Sequence, residues 1–162
     1  MSETTLGAGA LSVMFGRDKV LQTRPLGAGV AVIIQDLKSK TSGLVCVVLP
    51  DSHFDRERAK EAPGIFADTA VPALLDAFAD KGMIREPHEF TVKLVGGANV
   101  ADQSGSFDLG TRNVQAIQQA LEQCKLTVAA AEVGGRLSRA VKIHVESGKV
   151  EMISPGRENS FI

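Results

Sequence analysis

The chain has 162 residues, of which 44% are hydrophobic and 23% charged, with a formal net charge of −1. This length and composition are typical of one folded domain with a substantial core and exclude an intrinsically disordered chain. The near-neutral charge, without a long basic run, argues against nucleic acid or an anionic membrane surface as the main partner.

Membrane insertion and secretion are not expected. No apolar run approaches the roughly 20 residues that a bilayer-spanning helix needs, and residues 1–5 lack the basic lead and apolar run of a signal peptide. The two cysteines, Cys46 and Cys124, lie among apolar neighbours. Unpaired cysteines of this kind are typical of a reducing compartment, so the sequence predicts a cytoplasmic protein.

The first third of the chain is predicted to consist of strands. Residues 1–10, rich in Gly and Ala at their end, are expected to be loose, and a short strand follows at 11–15. Continuous apolar runs at 30–34 and 44–49 predict two strands that are covered on both faces. The polar residues 36–42 between them predict a hairpin loop.

The rest of the chain mixes two main helices with further strands. The predicted elements are a solvated loop at 51–63, a helix at 70–81, a strand at 90–94, a helix at 112–124, and strands at 126–132, 141–145 and 150–153. The first helix should be capped by Asp68 or Thr69, carry Pro72 in its first turn and end at Gly82. Residues 154–162 are expected to be mobile.

These elements predict one domain over residues 1–162, since no linker is long enough to divide the chain. Several strands are joined by hairpins and only two helices are predicted. A purely parallel, doubly wound sheet is therefore not expected, because it needs a helix between successive strands. The predicted fold class is therefore α/β in the broad sense (α+β), with a mixed or antiparallel, β-sandwich-like core and two main helices.

Six short motifs are distributed along most of the chain. They are Gly27-Ala28-Gly29, Leu49-Pro50-Asp51-Ser52, Gly64-Ile65-Phe66-Ala67-Asp68-Thr69-Ala70, Gly96-Gly97-Ala98, Leu109-Gly110-Thr111-Arg112-Asn113, and Gly134-Gly135 with Ser138-Arg139. Each motif alone is weak evidence. In this order and at this spacing, they resemble the CheD family of chemoreceptor glutamine deamidases.

The resemblance implies a CheD-like fold and the hydrolysis of a receptor glutamine side chain to glutamate and ammonia. In that family a Gly-Ser-Cys turn supplies the nucleophile, a histidine shortly before Leu-Pro-Asp-Ser supplies the base, and a threonine lies nearby. Carried over by position, the nucleophile falls at Gly29, the base at Cys46 and the threonine at Thr23. Ala28 stands where the family has serine.

The resemblance therefore predicts a vestigial active site at Gly29, Cys46 and Thr23. Glycine has no side chain that can attack an amide, and loss of a nucleophile can cost on the order of 10⁶-fold in kcat. The residues around the site are predicted to be Gly27, Ala28, Leu49, Pro50, Asp51 and Ser52. A structural explanation is also open for Gly27 and Gly29, namely a turn that needs positive φ or close backbone packing.

Two alternatives to an inactive CheD-like protein stay open. In the first, Cys46 is a relocated nucleophile paired with His53, and the protein is an active glutamine deamidase. A buried, unpaired thiol is inert, however, and Cys46 among valines indicates a core position. In the second, the chain is an unrelated α/β domain whose motifs match by chance.

No metal or other cofactor is expected. Gly27 and Gly29 precede a strand and not a helix, so they do not form a dinucleotide-binding turn. The three histidines, His53, His88 and His144, lie far apart, without cysteines or carboxylates at ligand spacing. No nucleophile-elbow sequence is present for a Ser-His-Asp hydrolase.

The predicted function is that of a CheD-like chemotaxis protein that works by binding. In the family, the surface that grips receptor helices is also contacted by CheC-type phosphatases. The expected partners are thus the cytoplasmic domain of a chemoreceptor and a CheC-type phosphatase, with no nucleic acid and no direct membrane insertion. Thr111 is expected to cap the second helix, Asn113 to face solvent, and Arg136 and Arg139 to be solvated.

Overall fold

The structure is a computed structural model that describes residues 2–99 and 108–162. Within these ranges, ten strands and three α-helices are present. The strands are β1 (Ser2–Leu6), β2 (Leu11–Phe15), β3 (Lys19–Thr23), β4 (Val30–Asp36), β5 (Thr41–Val47), β6 (Thr91–Gly96), β7 (Val128–Val133), β8 (Ala140–His144), β9 (Lys149–Ile153) and β10 (Ser160–Phe161). The helices are α1 (Arg56–Glu61), α2 (Ala67–Asp80) and α3 (Leu109–Gln123).

The strands form two sheets of five. One sheet has the order β1-β3-β8-β9-β10 and the other the order β2-β5-β4-β6-β7. Most neighbours are antiparallel, while β1 with β3 and β6 with β7 are parallel. This mixed α+β architecture, with α2 and α3 as its two main helices, confirms the predicted fold class.

The β4–β5 hairpin lies at the centre of the molecule, between two apolar layers. Every residue of both strands is buried, which confirms that these strands are covered on both faces. Val32, Ile34 and Val45 on one face pack against α2 and α3. Ile33 and Leu44 on the other face pack against the second sheet. The alternation of a strand's side chains thus separates two cores along one hairpin.

Both chain ends differ from the predicted loose segments. Residues 2–6 form β1, which pairs in parallel with β3 along its whole length. The polar alternation of Ser2–Leu6 hides a strand because only Leu6 is buried. At the other end, Ser160 and Phe161 pair with β9 as β10. Residue 1 lies outside the described residues.

The predicted solvated loop at 51–63 contains helix α1 and two short 3₁₀ turns. Helix α2 begins at Ala67, earlier than predicted, with Phe66 at its N-cap and no side-chain cap. Asp68 and Thr69 lie inside the helix for this reason, and Pro72 is in its second turn. Gly82 follows the last residues of α2 at φ +78, as expected for a helix end.

An ion pair closes the turn side of the β4–β5 hairpin. The Asp36 side chain is 4% exposed, and its carboxylate accepts a hydrogen bond from Arg85 Nε at 2.8 Å. Burial by itself raises the pKa of Asp36, but the hydrogen bonds from Arg85 and Ser39 outweigh it and lower that pKa. The carboxylate is therefore stabilised in its charged form by the fold.

We expect Arg85→Ala to lower the free energy of unfolding at pH 7 by roughly 2–3 kcal/mol, because it leaves the Asp36 charge buried and unpaired. A lowered pKa contributes stability above the unfolded value of about 3.9 and loses it as the pH falls through the folded value. Urea unfolding should show the two proteins converging below about pH 4. Lys60→Ala, which removes an exposed pair with Glu57, should change stability by less than about 1 kcal/mol. A gap unchanged down to pH 2 would contradict the assignment.

Candidate functional site

The turn that resembles the family's nucleophile loop lies directly before β4, and neighbouring groups hold its backbone. The carbonyl of Gly27 accepts a hydrogen bond from the N–H of Ala98 at 2.9 Å, and that of Gly29 accepts one from Gly97 at 2.9 Å. Between them, the Ala28 carbonyl accepts from Asn113 Nδ2 at 2.9 Å. All three carbonyls of the turn are thus fixed by the chain segments behind it.

The glycines with unusual backbone conformation at this site are Gly96 and Gly97, with φ values of +123 and +65. Gly27 and Gly29 are not among the positive-φ glycines, so the expectation of positive φ for them is wrong, while close backbone packing at Gly29 stays open. A Cβ on Gly96 would lie 2.3 Å from the carbonyl oxygen of Gly29. The turn can therefore approach β6 only because residue 96 has no side chain.

The register of the hairpin places Gly29 and Cys46 on neighbouring strands. Val30 pairs with Val47 and Ala31 with Cys46, so Gly29 lies two positions beyond the Ala31–Cys46 pair. Because side chains alternate along a strand, positions 29 and 46 share a face. A Cβ at Gly29 would contact Val48 Cγ1 at 3.4 Å and the Val47 carbonyl at 3.2 Å. Positions 29 and 46 therefore lie on one face of the hairpin, diagonally across its two strands.

Thr23 reaches the same region through Leu6. Thr23 is 7% exposed and pairs with Leu6 across β1 and β3. The Cys46 thiol points at the Leu6 carbonyl, with Sγ 3.8 Å from the oxygen. The Thr23 hydroxyl oxygen already accepts a hydrogen bond from the N–H of Val141 at 3.1 Å. Leu6 is therefore a neighbour of both Thr23 and the Cys46 thiol.

Cys46 has the properties of a core residue. It is 1% exposed, and burial raises its pKa to about 12. A thiol that is protonated and shielded from solvent at neutral pH is a poor nucleophile. His53, by contrast, has a side chain that is 66% exposed. None of the hydrogen bonds within residues 2–99 and 108–162 joins it to Cys46, and the structure does not bring the proposed alternative pair together.

The Leu49–Ser52 segment is anchored on the start of α2. The Leu49 carbonyl accepts from Ala67 at 2.9 Å, and Ser52 donates to the Asp68 carboxylate through both its N–H, at 3.0 Å, and its hydroxyl, at 2.5 Å. Asp51 caps the following 3₁₀ turn. Hydrogen bonds from the His53 backbone and ring lower the pKa of Asp51. This loop is therefore rigidly placed beside the end of β5.

Comparisons with known proteins identify the family. The model of the family described as CheD chemotactic sensory transduction matches residues 48–154. The chain is 36% identical over 154 residues to the probable chemoreceptor glutamine deamidase CheD 2 of Anaeromyxobacter dehalogenans, covering 95% of this chain and 96% of that protein. It is 34% identical over 157 residues to the probable CheD of Syntrophotalea carbinolica, covering 97% of both chains.

The chain belongs to the CheD family. The probable CheD of Solibacter usitatus is also similar, at 30% identity over 162 residues that cover 100% of this chain and 95% of the relative. Among the described residues of this CheD protein, no helix is long and apolar enough to cross a membrane.

Asn113 is the site residue that sequence reasoning missed. It lies in α3 and is completely buried, so the expectation that it faces solvent is wrong. Its Nδ2 donates to the carbonyls of Ala28, at 2.9 Å, and Val48, at 3.1 Å. These carbonyls belong to the two segments that carry positions 29 and 46. Among the described residues, the Oδ1 atom of Asn113 has no hydrogen-bond partner, a cost that a buried amide rarely bears without a role.

Arg139 is a second residue whose part in the site differs from the prediction. Its backbone N–H and carbonyl pair with Leu26, and its Nη1 donates to the carbonyls of Gly96, at 3.3 Å, and Gly134, at 2.9 Å. The side chain is thus a structural link between the turn and the glycine-rich loop. In the sequence, the only indication of this structural role is that Arg139 belongs to the Ser138-Arg139 motif.

One cluster near the site contains groups that bind metals in other proteins. Ligand atoms of Asp51, His53 and Asp68 all lie within 4.8 Å of one another. The Asp51 carboxylate already accepts hydrogen bonds from His53 and the Asp68 carboxylate from Ser52. The cluster is open to solvent and its members satisfy one another, so it needs no ion to be stable.

Proposed function

We propose that this CheD-family protein has no deamidase activity and acts by binding the cytoplasmic domain of a chemoreceptor. The relatives named above are probable chemoreceptor glutamine deamidases, which supports a receptor as the partner. The observation that carries the proposal is Gly29. The turn occupies the position expected of the nucleophile, and the chain supplies no reactive atom there.

The neighbouring groups do not replace the missing chemistry. Amide hydrolysis by this route needs a nucleophile, a base that activates it and an acid for the departing ammonia. Cys46 is buried with a pKa near 12, and Thr23 is engaged with the backbone of β8. Buried beneath the turn, these side chains support the fold. The backbone around the 27–29 turn is held in place by Asn113 and the Gly96–Gly97 pair. It forms a surface with a defined shape, to which a partner can bind.

The proposed partner surface is the one around Gly27, Ala28 and the Leu49–Ser52 segment. A receptor helix bound there would bring a glutamine to the turn, and the side-chain amide of that glutamine would not be hydrolysed. The same surface is proposed to bind a CheC-type phosphatase, so that the protein works as a cytoplasmic adaptor that one partner can displace from the other.

We expect no ammonia above background when the protein is incubated with a glutamine-containing cytoplasmic fragment of a chemoreceptor. The missing nucleophile alone accounts for a loss on the order of 10⁶-fold. Binding of the same fragment, measured by calorimetry, should still be detected. Gly29→Arg, which fills the surface beside the turn, should abolish binding, while Lys125→Ala, in the turn that follows α3, should not.

Two results would overturn the proposal. Ammonia release that Cys46→Ser abolishes would establish an active enzyme with a relocated thiol. Absence of binding to receptor fragments and to a CheC-type phosphatase alike would remove the adaptor function.

A further inference from the structure

A second surface of this protein lies at the opposite end of the sandwich from Gly29. Three turns meet there: 16–18 between β2 and β3, 37–40 between β4 and β5, and 145–148 between β8 and β9. The Val145 N–H donates to the Lys19 carbonyl at 3.1 Å, and Gln35 Nε2 donates to the Gly148 carbonyl at 2.9 Å. We call these turns, with the flanking residues Phe15, Lys19, Lys81, Lys149 and Phe161, the basic end.

The basic end is separated from the vestigial site by the length of the central hairpin. Strand β4 begins at Val30, next to Gly29, and finishes at Asp36, next to the 37–40 turn. Seven residues at about 3.3 Å each place the two surfaces roughly 20 Å apart. A partner at one end therefore does not cover the other.

Positive charge is concentrated at this end. Five exposed lysines belong to it: Lys19, Lys38, Lys40, Lys81 and Lys149. Among acidic neighbours, Glu146 pairs with Arg17 at 3.8 Å and Asp36 pairs with Arg85. Asp18, beside Lys19, and Asp80, beside Lys81, compensate the lysine charge in part. The whole chain has a net charge of −1, so this local excess arises from folding separate turns together.

Exposed apolar side chains lie among these lysines. Phe15 and Leu37 are each 51% exposed, and Phe161 is 64% exposed. Lys19 Nζ lies 5.8 Å from the centre of the Phe15 ring, and Lys149 Nζ lies 5.9 Å from that of Phe161. The ammonium groups therefore border the apolar surface and do not point away from it.

Leu37 divides the surface into two shallow grooves. One groove runs from Lys19 and Lys40 to His144, and the other runs along Lys149, Val150 and Phe161. Leu37 is fixed by the β8–β9 turn, since a Cβ on Gly148 would lie 2.7 Å from Leu37 Cδ2. The first groove has mixed charge, because Asp18 and Glu146 also line it, whereas the charged side chains of the second are Lys93 and Lys149. An apolar ridge bordered by lysines matches a chain segment that carries both leucine-like and carboxylate side chains.

We propose that the basic end is a docking surface for an acidic, partly apolar protein segment. The carboxylates of the partner would lie against the lysines, and its apolar side chains would cover Leu37 and Phe161. The grooved relief favours a polypeptide over a flat bilayer, which would touch only the protruding side chains. The inference goes beyond the proposed receptor binding, because it uses none of the residues around Gly29 and gives an adaptor its second contact surface.

The proposal can be tested with a labelled amphipathic peptide of glutamate and leucine as the probe, in fluorescence anisotropy. The peptide should bind the wild-type protein, and a version with every glutamate replaced by glutamine should bind at least about tenfold more weakly, since charge complementarity is lost. Lys38→Glu with Lys40→Glu should weaken binding of the acidic peptide by a similar factor. Leu37→Ser should also weaken it. Because these side chains are exposed, circular dichroism should show folded variants.

The matched control is Arg58→Glu with Lys60→Glu, an equal charge change on exposed residues of α1. This control should bind the acidic peptide like the wild type. Equal weakening by both double variants would show a general charge effect and overturn the docking site, as would the absence of peptide binding to the wild type. Preferential binding of vesicles containing phosphatidylglycerol, or self-association through Leu37, would assign the surface to a different occupant and overturn the proposal. None of these outcomes depends on receptor binding near Gly29.

Discussion

Gly29→Cys combined with Cys46→His is expected to create a thiol that reacts with iodoacetamide at least about tenfold faster at neutral pH than a free cysteine does. The reason is the shared face of positions 29 and 46, since Gly29 lies two positions from Ala31, which pairs with Cys46. An imidazole at 46 would favour the thiolate at 29 and lower its pKa. The measurement is the alkylation rate as a function of pH, in a Cys124→Ser background.

The structure also indicates what the double variant costs. The backbone at position 29 does not have the positive φ that disfavours side chains. A Cβ there requires the Val47 carbonyl to move by only a few tenths of an ångström. Histidine at position 46 is more demanding, because that site is 1% exposed and its cluster includes Leu6 and Ala31. Overpacking there should cost roughly 1–3 kcal/mol. We expect a folded but less stable protein, to be verified by urea unfolding.

Gly29→Cys with Cys46→Ser is the matched control, since it keeps the new thiol and lacks the base. If both variants fold and their alkylation rates are equal, the frame no longer has the spacing of a catalytic pair, and the vestigial-site interpretation is wrong. Ammonia release by the histidine variant would be a stronger result. Small displacements can cost about 10²-fold in rate, so reactivity of the thiol is the more sensitive readout.

The central part of this structure could be predicted from the sequence because its signals are local. The apolar runs around Val32 and Val45 indicate strands covered on both faces, and the polar residues between them indicate a hairpin. The helices α2 and α3 were evident from their apolar stripes. Strand β1 was not, because its stability comes from pairing with β3, and Ser2–Leu6 carries little apolar pattern of its own.

The site divides in the same way. The positions of Gly29, Cys46 and Thr23 followed from motif order, which the comparisons with CheD relatives support at the level of the family. The burial of Asn113 did not follow from its place in the sequence. An asparagine in the first part of a helix usually faces solvent or caps, and only the tertiary approach of the Ala28 and Val48 carbonyls draws this one inward. The basic end was hidden for a related reason, since its lysines come from three separate turns.

Gly96→Ala should have one of the largest effects on stability of any single methyl group in this protein. Position 96 has φ +123, where an L side chain costs roughly 1–3 kcal/mol. The added Cβ would also lie 2.3 Å from the Gly29 carbonyl oxygen and 3.2 Å from Val30 Cα. These are backbone atoms at the start of a fully buried strand, so relief requires the turn itself to move.

Gly16→Ala isolates the part of this effect that concerns the site. Gly16 has a comparable φ of +111, but a Cβ there meets only the end of the Lys19 side chain, at 3.7 Å. Both variants share the backbone strain, and Gly96→Ala alone carries the clash, which should add about 1–3 kcal/mol. Equal losses of unfolding free energy in urea would show that the Gly29 turn gives way easily. A larger loss at Gly96 would show that the Gly29 turn is held firmly against β6. Such a fixed turn is needed if the backbone of the site is to keep its shape after the catalytic side chains have been lost.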